Sequence, residues 1–397
     1  MWSRTTAAVL AAGALLTAAD AAHAGSIPAP ERAIEMLNEW RASVGVPPVA
    51  FDPAHSDDCR KHAEYYRLNH TSGHAEDPSR PGYSAEGHRA AASSVLSYGG
   101  DFTDGPYVWE DAVYHRTGLL NPRLVRAGYW AEQGIACLGV FGVDSSRTQE
   151  TVSSYPYPFD GQVDVPIDFS CNETPNPCES VPGNSGRDRI GFIPSVQFAG
   201  PWRGKADPVV LAASLTPDEG APVPLTVEDS TSARAPYLDG GLALLPHEPL
   251  RRDTWYTAHV TGTLPAQQSS SGGYYDPFAM SETRVPFDVA WRFRTAPGPW
   301  VPLPATTAAE LRLRLSRTQK GDMRVIVRAP SALHGQDGVL WWRAGRSRGG
   351  EIIRLSDRFA WKLGRARYAR ARLVVPRFVS AEGQGYTRTV VRAEVGK

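Results

Sequence analysis

The sequence lacks the short motifs that most metal-dependent and nucleotide-binding enzymes carry. Its 397 residues contain no C-x-x-C pair, no H-E-x-x-H segment and no phosphate-binding loop. The segment Gly82–Gly87 (GYSAEG) is one residue too long for a G-x-S-x-G nucleophile elbow, and no strand precedes it. A cysteine-ligated zinc site is therefore excluded, and no nucleophile–base pair can be assembled from the sequence.

Long apolar runs are also absent. No segment beyond the N-terminus approaches the ~20 apolar residues that cross a bilayer, so we expect no transmembrane segment. Residues 1–24 are typical of a secretory signal, with Arg4, an Ala/Leu run over 7–18 and the small-x-small site Ala22-His23-Ala24. No cysteine follows that run, which excludes a lipid anchor. These features predict a secreted protein, extracellular or periplasmic.

Cysteine is scarce, but its number is even. Four cysteines in a chain with a secretory signal favour disulfides in an oxidising compartment. Cys171 and Cys178 bracket the proline-containing loop NETPNP, and we expect them to be bonded. Cys59 and Cys137 could then join a helix to a strand. Two buried free thiols are the alternative that the sequence leaves open.

The chain has no net charge, yet its charges are unevenly distributed. It contains 42 Lys and Arg against 42 Asp and Glu, and residues 304–397 hold 20 of the former and 7 of the latter, a net charge of +13. The remainder therefore carries −13. This imbalance predicts either a basic module that faces an anionic partner, such as a cell-envelope polymer, or attraction between domains. Nucleic acid is not expected as a partner of a secreted chain.

Helical periodicity is confined to the first third of the chain. Ile34, Leu37 and Trp40 recur at spacings of three and predict a helix that ends near Gly45. A second helix is predicted over 57–68 and a short one over 109–116, and the apolar run 134–143 is typical of a strand.

Beyond residue 150, short alternating runs with turn signals replace the helical pattern. They are typical of β-sandwiches, with Arg at many alternating positions near the C-terminus. The predicted class is α+β. The predicted domains are a signal peptide at 1–24, a mixed domain at 25–150, a proline-rich linker with a disulfide at 151–187, an Ig-like β-sandwich at 188–297 and a basic β domain at 304–397.

The candidate functional residues lie in the mixed domain and comprise His74, Glu86, Trp109 and His115. Two neutral imidazoles can bind a divalent ion such as zinc, and a carboxylate can orient a ring or bind water. We predict that the ring nitrogens of His74 and His115 lie within roughly 4–7 Å of each other, with Glu86 in hydrogen-bond reach. Alternatively, the two histidines hydrogen-bond Glu86 and only stiffen the domain. Four further histidines are interpreted as surface residues: His55, His62, His70 and His88.

Several motifs between residues 31 and 143 resemble the CAP superfamily (cysteine-rich secretory, antigen 5 and pathogenesis-related proteins) in its bacterial form. They are NEWR at 38–41, SGHAED around His74, SAEGH around Glu86 and WEDAVYHRTGLLNP around His115. The resemblance implies an α-β-α sandwich in which His74, Glu86 and His115 face one cavity. Two departures stand out. The family's G-E-N triplet is Ala85-Glu86-Gly87 here, and its second cavity glutamate has no clear counterpart, with Glu110 and Asp111 as candidates.

Two functions follow as hypotheses. The first is a binding protein whose cleft holds a small apolar or lipid-like ligand or a divalent ion, contacted by Trp109, and whose β domains dock on envelope polymers. The alternative is a metal-dependent hydrolase of peptide or ester bonds. In it Glu86 is the general base, His74 and His115 hold zinc, and Glu110 or Asp111 completes the set. The sequence leaves open whether the protein is an enzyme.

Overall fold

The structure is a computed structural model that describes residues 27–100, 102, 104–144, 146–202, 204–266, 284–296, 310–334, 337–344, 347–367, 369–377 and 387–395. The signal predicted at 1–24 lies outside these residues. We call residues 27–144 the N-terminal region, 146–296 the middle region and 310–395 the C-terminal region.

The N-terminal region packs helices onto a four-stranded sheet of order β1-β3-β4-β2, in which β1 and β3 are parallel. Its elements are α1 (Pro30–Val44), β1 (Ala50–Phe51), α2 (Pro53–Asn69), α3 (Ala85–Ala92), β2 (Ser94–Tyr98), α4 (Val113–Leu119), β3 (Leu124–Glu132) and β4 (Ile135–Val143), with a 3₁₀ turn at Gly105–Trp109. This mixed architecture is consistent with the predicted α-β-α sandwich.

The first two helices form where their terminal residues favour them. Pro30 opens α1 with a backbone angle suited to a first helical turn, and Gly45 ends it at a φ of 88°. Asp52 caps α2 by accepting hydrogen bonds from the backbone N–H groups of Ala54 and His55. The predicted helix around Ile34, Leu37 and Trp40 is thus confirmed, and these three side chains are buried.

Helix α2 lies directly on the sheet. A Cβ placed on Gly128 of β3 would come within 2.4 Å of the Ser56 nitrogen, so only glycine permits this close approach. The disulfide Cys59–Cys137 ties α2 to β4 across a Cα separation of 5.6 Å. The predicted pairing of helix and strand is confirmed, and the alternative of two free thiols is wrong.

The middle region is a β-sandwich. Its sheets have the orders β10-β13-β14-β6 and β11-β12-β9-β5, and β7 pairs with β8. Its strands are β5 (Ser153–Tyr157), β6 (Gln162–Val165), β7 (Asp168–Phe169), β8 (Ile190–Gly191), β9 (Ser195–Ala199), β10 (Val209–Pro217), β11 (Leu225–Glu228), β12 (Leu242–Pro246), β13 (Trp255–Pro265) and β14 (Arg284–Thr295). Phe198 and Phe287 meet between the two sheets, with ring centroids 5.0 Å apart. The predicted α+β class is confirmed, whereas the Ig-like assignment stays a prediction.

The stretch predicted as a linker differs in the structure. Residues 151–187 contain β5, β6 and β7, which pair with β9, β14 and β8 of the sandwich. Pro156 lies within β5, the edge strand of its sheet, and the other prolines of 151–187 lie outside the strands, where a missing N–H is tolerated. The disulfide Cys171–Cys178 forms as predicted, with a Cα separation of 5.7 Å.

The C-terminal region consists of a three-stranded sheet, β15-β16-β19, and a four-stranded sheet, β18-β17-β20-β21. Its strands are β15 (Arg312–Arg317), β16 (Asp322–Arg328), β17 (Asp337–Ala344), β18 (Ser347–Arg354), β19 (Phe359–Arg365), β20 (Ala369–Arg377) and β21 (Thr387–Val395). Residues of both sheets, among them Leu315, Val325 and Leu373, form one apolar cluster. Among the described residues, no helix is both long and apolar enough to cross a membrane.

Candidate functional site

His74 lies on the exposed loop that precedes α3. Its Nδ1 atom is 2.7 Å from the backbone oxygen of Ala91, near the end of that helix. A carbonyl oxygen can only accept, so the ring hydrogen sits on Nδ1 and donates to Ala91. The bond leaves Nε2 available to another partner.

Glu86 lies in the first turn of α3, where a carboxylate is favoured by the helix dipole. Its side chain is 42 % exposed, and its carboxylate is 3.9 Å from the Lys61 ammonium group. Glu86 is therefore a surface carboxylate paired with Lys61 rather than with either candidate histidine.

His115 lies on α4 and faces the middle region. Its Nδ1 is 2.6 Å from Oε1 of Glu173, and its backbone N–H donates to the same oxygen at 2.9 Å. The side chain of Glu173 is completely buried, while that of His115 is 14 % exposed. A carboxylate from the disulfide loop thus orients this imidazole.

The two predicted metal ligands, His74 and His115, and the predicted general base, Glu86, therefore bond to three different partners, namely Ala91, Glu173 and Lys61. Within the part of the chain that the structure describes, no group of three or more His, Cys, Asp or Glu side chains is arranged to hold a metal ion. The donor set does not assemble into a zinc site in this conformation. The shared metal site stays a prediction that this geometry does not support.

Trp109 and Glu110 also differ from the prediction. Trp109 is only 2 % exposed, and its indole N–H donates to the Leu96 oxygen, so the ring is part of the core rather than a ligand-contacting surface. Glu110 is buried, and its carboxylate accepts a hydrogen bond from the Tyr157 hydroxyl of the middle region. Both side chains are fixed by packing and by hydrogen bonds to Leu96 and Tyr157.

A buried histidine–glutamate pair lies beside the loop of His74. The Nδ1 atom of His62 is 3.0 Å from Oε1 of Glu76, and both side chains are completely buried. The backbone N–H of Ser84 donates to the other carboxylate oxygen, and the Tyr98 hydroxyl is 3.4 Å from Nε2. Burial lowers the pKa of His62, although the neighbouring Glu76 opposes this effect.

This pair corrects the interpretation of His62 as a surface residue and explains one departure from the G-E-N triplet. A Cβ on Gly87 would lie 2.5 Å from the Glu76 carboxylate and 2.9 Å from the Ser84 hydroxyl oxygen. Glycine is therefore required where the family carries another residue. The signal for His62 was its spacing of three from Cys59, which places both on the buried face of α2. Glu173 gave no comparable signal, because it lies far along the chain.

Helix α4 bonds to the middle region through four consecutive residues: Tyr114 to Glu228, His115 to Glu173, Arg116 to Ile193 and Ser195, and Thr117 to Tyr237. Burial, together with Glu228, raises the pKa of the Tyr114 hydroxyl, and burial raises the pKa of Glu228. The helix that carries His115 therefore packs against the middle region, while part of the His115 side chain stays exposed.

The C-terminal region presents positive charge on the outer side of its three-stranded sheet. The exposed side chains on this side, which we call the cationic face, are Arg312, Arg314, Arg324, Arg328 and Lys362. Arg312 pairs directly with Arg328 across β15 and β16, and Arg324 pairs with Lys362 across β16 and β19. Lys362 also forms a 3.0 Å ion pair with Asp322.

The four-stranded sheet of this region borders the N-terminal region. Arg343 of β17 stands opposite Arg370 of β20, and a guanidinium nitrogen of Arg370 lies 4.0 Å from the Glu39 carboxylate of α1. Arg32 contacts the same carboxylate oxygen at 3.2 Å. Part of the basic charge of the C-terminal region is thus directed at acidic groups of the chain itself.

Comparison with known proteins identifies the class of the N-terminal region. Residues 34–136 match the family "CAP: Cysteine-rich secretory protein family". This part of the chain is a CAP domain, as the motifs predict. No curated protein is similar enough to the chain to count as a match.

Among solved structures, the chain is similar to the one described as "Crystal structure of YadV chaperone at 1.63 Angstrom". The two are 14 % identical with a TM-score of 0.19, and the match covers 50 % of this chain and 90 % of the other. At that score the likeness carries no structural or functional argument.

Proposed function

We propose that this chain is a secreted CAP-domain binding protein that docks on an anionic cell-envelope polymer. The observation that carries the proposal is the cationic face, on which exposed basic side chains stand opposite one another across neighbouring strands. Both disulfides fit a protein that works in an oxidising compartment. The CAP domain would then be held at the envelope surface.

The arrangement of charge on the cationic face favours a role in binding a partner over a role in stabilising the fold. The Asp322 carboxylate offsets part of the charge of Lys362. Like charges directly opposite each other in a sheet repel, and on the cationic face this applies to Arg312 with Arg328 and to Arg324 with Lys362. A repeating anion placed over the face would remove that repulsion. Four of the five cations are arginines, whose planar fork binds carboxylate and phosphate oxygens through paired hydrogen bonds.

The competing account is that the basic region only neutralises the acidic remainder of the chain. The ion pair of Arg370 with Glu39 supports it for the four-stranded sheet. The cationic face belongs to the other sheet, and its side chains are exposed to solvent. Internal neutralisation therefore accounts for Arg370 of the four-stranded sheet and, on the cationic face, for the ion pair of Lys362 with Asp322.

The test is a charge-neutralising pair on β16, Arg324→Gln with Arg328→Gln. A basic residue near an anionic surface contributes about 1 kcal/mol, so the pair should weaken binding to purified cell-wall material by about 30-fold at low salt. The matched control is Arg358→Gln with Arg367→Gln, which removes the same charge from exposed positions outside the face. Equal losses in the two variants would mean that net charge, not the face, determines binding.

Two further measurements complete this test. Binding of the parent should fall steeply as salt rises, because exposed charges are screened beyond ~8 Å at physiological ionic strength. A chain that ends near Pro302 should lose the salt-sensitive interaction. If it is retained by cell-wall material as well as the full chain is, the C-terminal region is not the anchor.

The ligand of the CAP domain is a separate part of the proposal. We retain a small apolar or lipid-like molecule or a divalent ion, zinc first, held near His74 and His115. Bound-metal analysis of the parent and of the His74→Ala, His115→Ala double variant tests the ion. The pairing of Glu86 with Lys61 and of Glu110 with Tyr157 weakens the alternative of a hydrolase that uses these carboxylates.

A further inference from the structure

The hydrogen bond between His115 and Glu173 joins two regions of the molecule. His115 lies inside the part of the chain that matches the CAP family, residues 34–136, and Glu173 lies outside it. The carboxylate reaches the histidine from the loop closed by Cys171 and Cys178. This hydrogen bond therefore requires residues of both regions and lies at the boundary between them.

The geometry determines which ring nitrogen of His115 carries hydrogen. Oε1 of Glu173 accepts from the backbone N–H of His115 at 2.9 Å and lies 2.6 Å from its Nδ1. A carboxylate accepts hydrogen bonds, so Nδ1 carries the hydrogen, and a neutral ring then keeps its electron pair on Nε2. The histidine side chain is 14 % exposed, and Nε2 is not one of the fully buried, unpaired side-chain atoms of the described residues, so solvent can approach it.

The disulfide loop is built to hold Glu173 in place. Asn176 accepts a hydrogen bond from the Cys178 nitrogen at 3.0 Å, and its amide donates to the Gly186 oxygen at 2.8 Å. Cys178 is completely buried, in an apolar cluster that also contains Val113 and Tyr114 of α4. The loop is thus anchored on the helix whose histidine it contacts, and the carboxylate has little freedom to move.

An unsatisfied atom indicates that this boundary can accept one more group. Oε2 of Glu173 is buried and has no hydrogen-bond partner, and the same holds for Nε of Arg116. The Arg116 guanidinium lies close enough to Glu173 to interact with it electrostatically. Buried polar atoms are normally paired, so a donor such as water is expected beside Oε2.

We propose that Glu173 is a positioning residue that keeps a hydrogen of His115 on Nδ1 and so leaves Nε2 as the ring nitrogen that binds a hydroxyl-bearing ligand. The buried carboxylates of Glu173 and Glu228 disfavour an anionic ligand at this boundary. The site uses no residue of the cationic face and does not depend on polymer docking.

The first measurement is the tautomer of His115, read from nitrogen chemical shifts in the full chain labelled at its histidines and recorded at pH 8. The parent should show hydrogen on Nδ1. Glu173→Gln keeps an acceptor oxygen and should retain that tautomer, whereas Glu173→Ala should give a mixture. His259 is an internal control, because its Nε2 is the atom 2.8 Å from Asp288, which places its hydrogen on the other nitrogen. A His115 tautomer that is unchanged in Glu173→Ala would overturn the positioning role.

The second measurement tests access to Nε2. Diethyl pyrocarbonate, an electrophile that attacks neutral imidazole nitrogen, is the probe, and modified histidines are located by mass spectrometry. His115 should be modified in the parent, and ethylene glycol, the hydroxyl compound used as a stand-in, should slow its modification more than that of exposed His74. If His74 reacts and His115 does not, the site is closed and the proposal fails.

The third measurement concerns the loop. The Cys171→Ser, Cys178→Ser double variant removes the closure without touching Glu173. It should shift the tautomer of His115 in the same direction as Glu173→Ala while leaving His259 unchanged. Retention of the parental tautomer in this variant would show that the loop does not present the carboxylate. Glu173→Gln, which preserves the hydrogen bond, is the control that separates a change of tautomer from a change caused by unfolding.

Discussion

The N-terminal and middle regions are joined in a way that the C-terminal region is not. One apolar cluster runs from Trp40 and Leu124 of the first region to Val196 and Phe293 of the second. The rings of Trp40 and Tyr157 meet across their boundary at 5.8 Å. The C-terminal region instead has its own cluster, which contains no residue of the other two.

This difference shows that a change in composition is not the same as a boundary in packing. Near residue 150 the helical pattern ends, yet the core continues, because β5 and the residues after it complete that core. Between residues 296 and 310 the composition also changes, and there the described apolar clusters separate. We therefore expect two cooperative units, residues 27–296 and residues 310–395.

The largest expected effect on stability comes from removing the disulfides, which both lie in the first unit. The Cys59–Cys137 bridge closes a separation of 78 residues and the Cys171–Cys178 bridge one of 7. Chain-entropy arguments give roughly 4.5 and 2.4 kcal/mol for such loops. Replacing each pair by alanine should lower the first unit's free energy of unfolding in that order, measured by urea denaturation.

The second unit provides the control for this experiment, since all four cysteines lie outside it. The unfolding transition of this unit, followed by limited proteolysis of residues 310–395, should occur at the same urea concentration in both variants as in the parent. A shift of both transitions together would mean that the chain unfolds as a single unit and that the proposed division is wrong.

The next test removes the bonds between the N-terminal and middle regions. Arg116 is completely buried and donates hydrogen bonds to the oxygens of Glu110 and Ile193, with its guanidinium over the Tyr157 ring. Arg116→Ala leaves these acceptors unpaired and should cost the first unit about 3–4 kcal/mol. Arg187→Ala, at an exposed position of the middle region, is the control, and its effect on the free energy of unfolding should be close to zero. A small effect of Arg116→Ala would show that the shared core alone joins the regions.

How far the sequence predicts this fold depends on the range of each interaction. The helix at Ile34, Leu37 and Trp40 and its end at Gly45 follow from local spacing and backbone preference, and the structure confirms them. Even the Cys59–Cys137 pair could be predicted, because few cysteines leave few pairings. The continuity of the core past residue 150 could not, because it depends on which distant strands pair with β5.

The candidate site shows the same limit. Motif spacing predicts that His74, Glu86 and His115 matter, but not which way each ring or carboxylate turns. His115 turns towards Glu173, a carboxylate 58 residues away that no local pattern connects to it. The buried state of His62 was within reach of the sequence, through its spacing from Cys59. The orientation of His115 required the middle region, whose place beside α4 the sequence does not encode locally.

A third prediction affects only the C-terminal region. Leu315 is 4 % exposed and belongs to the cluster that joins the two sheets of that region. Leu315→Ala removes buried apolar atoms and leaves a cavity, at a cost of about 2–3 kcal/mol. Proteolysis should show earlier unfolding of residues 310–395 with the first unit unchanged. The matched variant Leu37→Ala, at a completely buried position of the first unit, should show the reverse.

The smallest expected effect is the pH dependence that buried histidine gives to the first unit. Burial lowers the pKa of His62 below its ordinary value, so the folded state prefers the neutral ring. As pH falls below about 6.5, the unfolded chain binds a proton at this residue more readily than the folded one, and stability decreases until the folded-state pKa is passed. Above that pH range, His62 contributes nothing to the dependence of the free energy of unfolding on pH.

His62→Asn removes this group and should flatten the stability profile of the first unit between pH 7.5 and 5, measured by urea unfolding at each pH. His55→Asn is the comparison. Burial also lowers the pKa of His55, but Asp52 opposes this and its side chain is 11 % exposed, so its share should be smaller. The C-terminal transition should keep its own profile in both variants, because neither histidine touches its core. An unchanged slope in His62→Asn would contradict the lowered pKa of His62 in the folded state, and a steeper loss of stability at low pH would show that the ring is protonated beside Glu76 in the folded state.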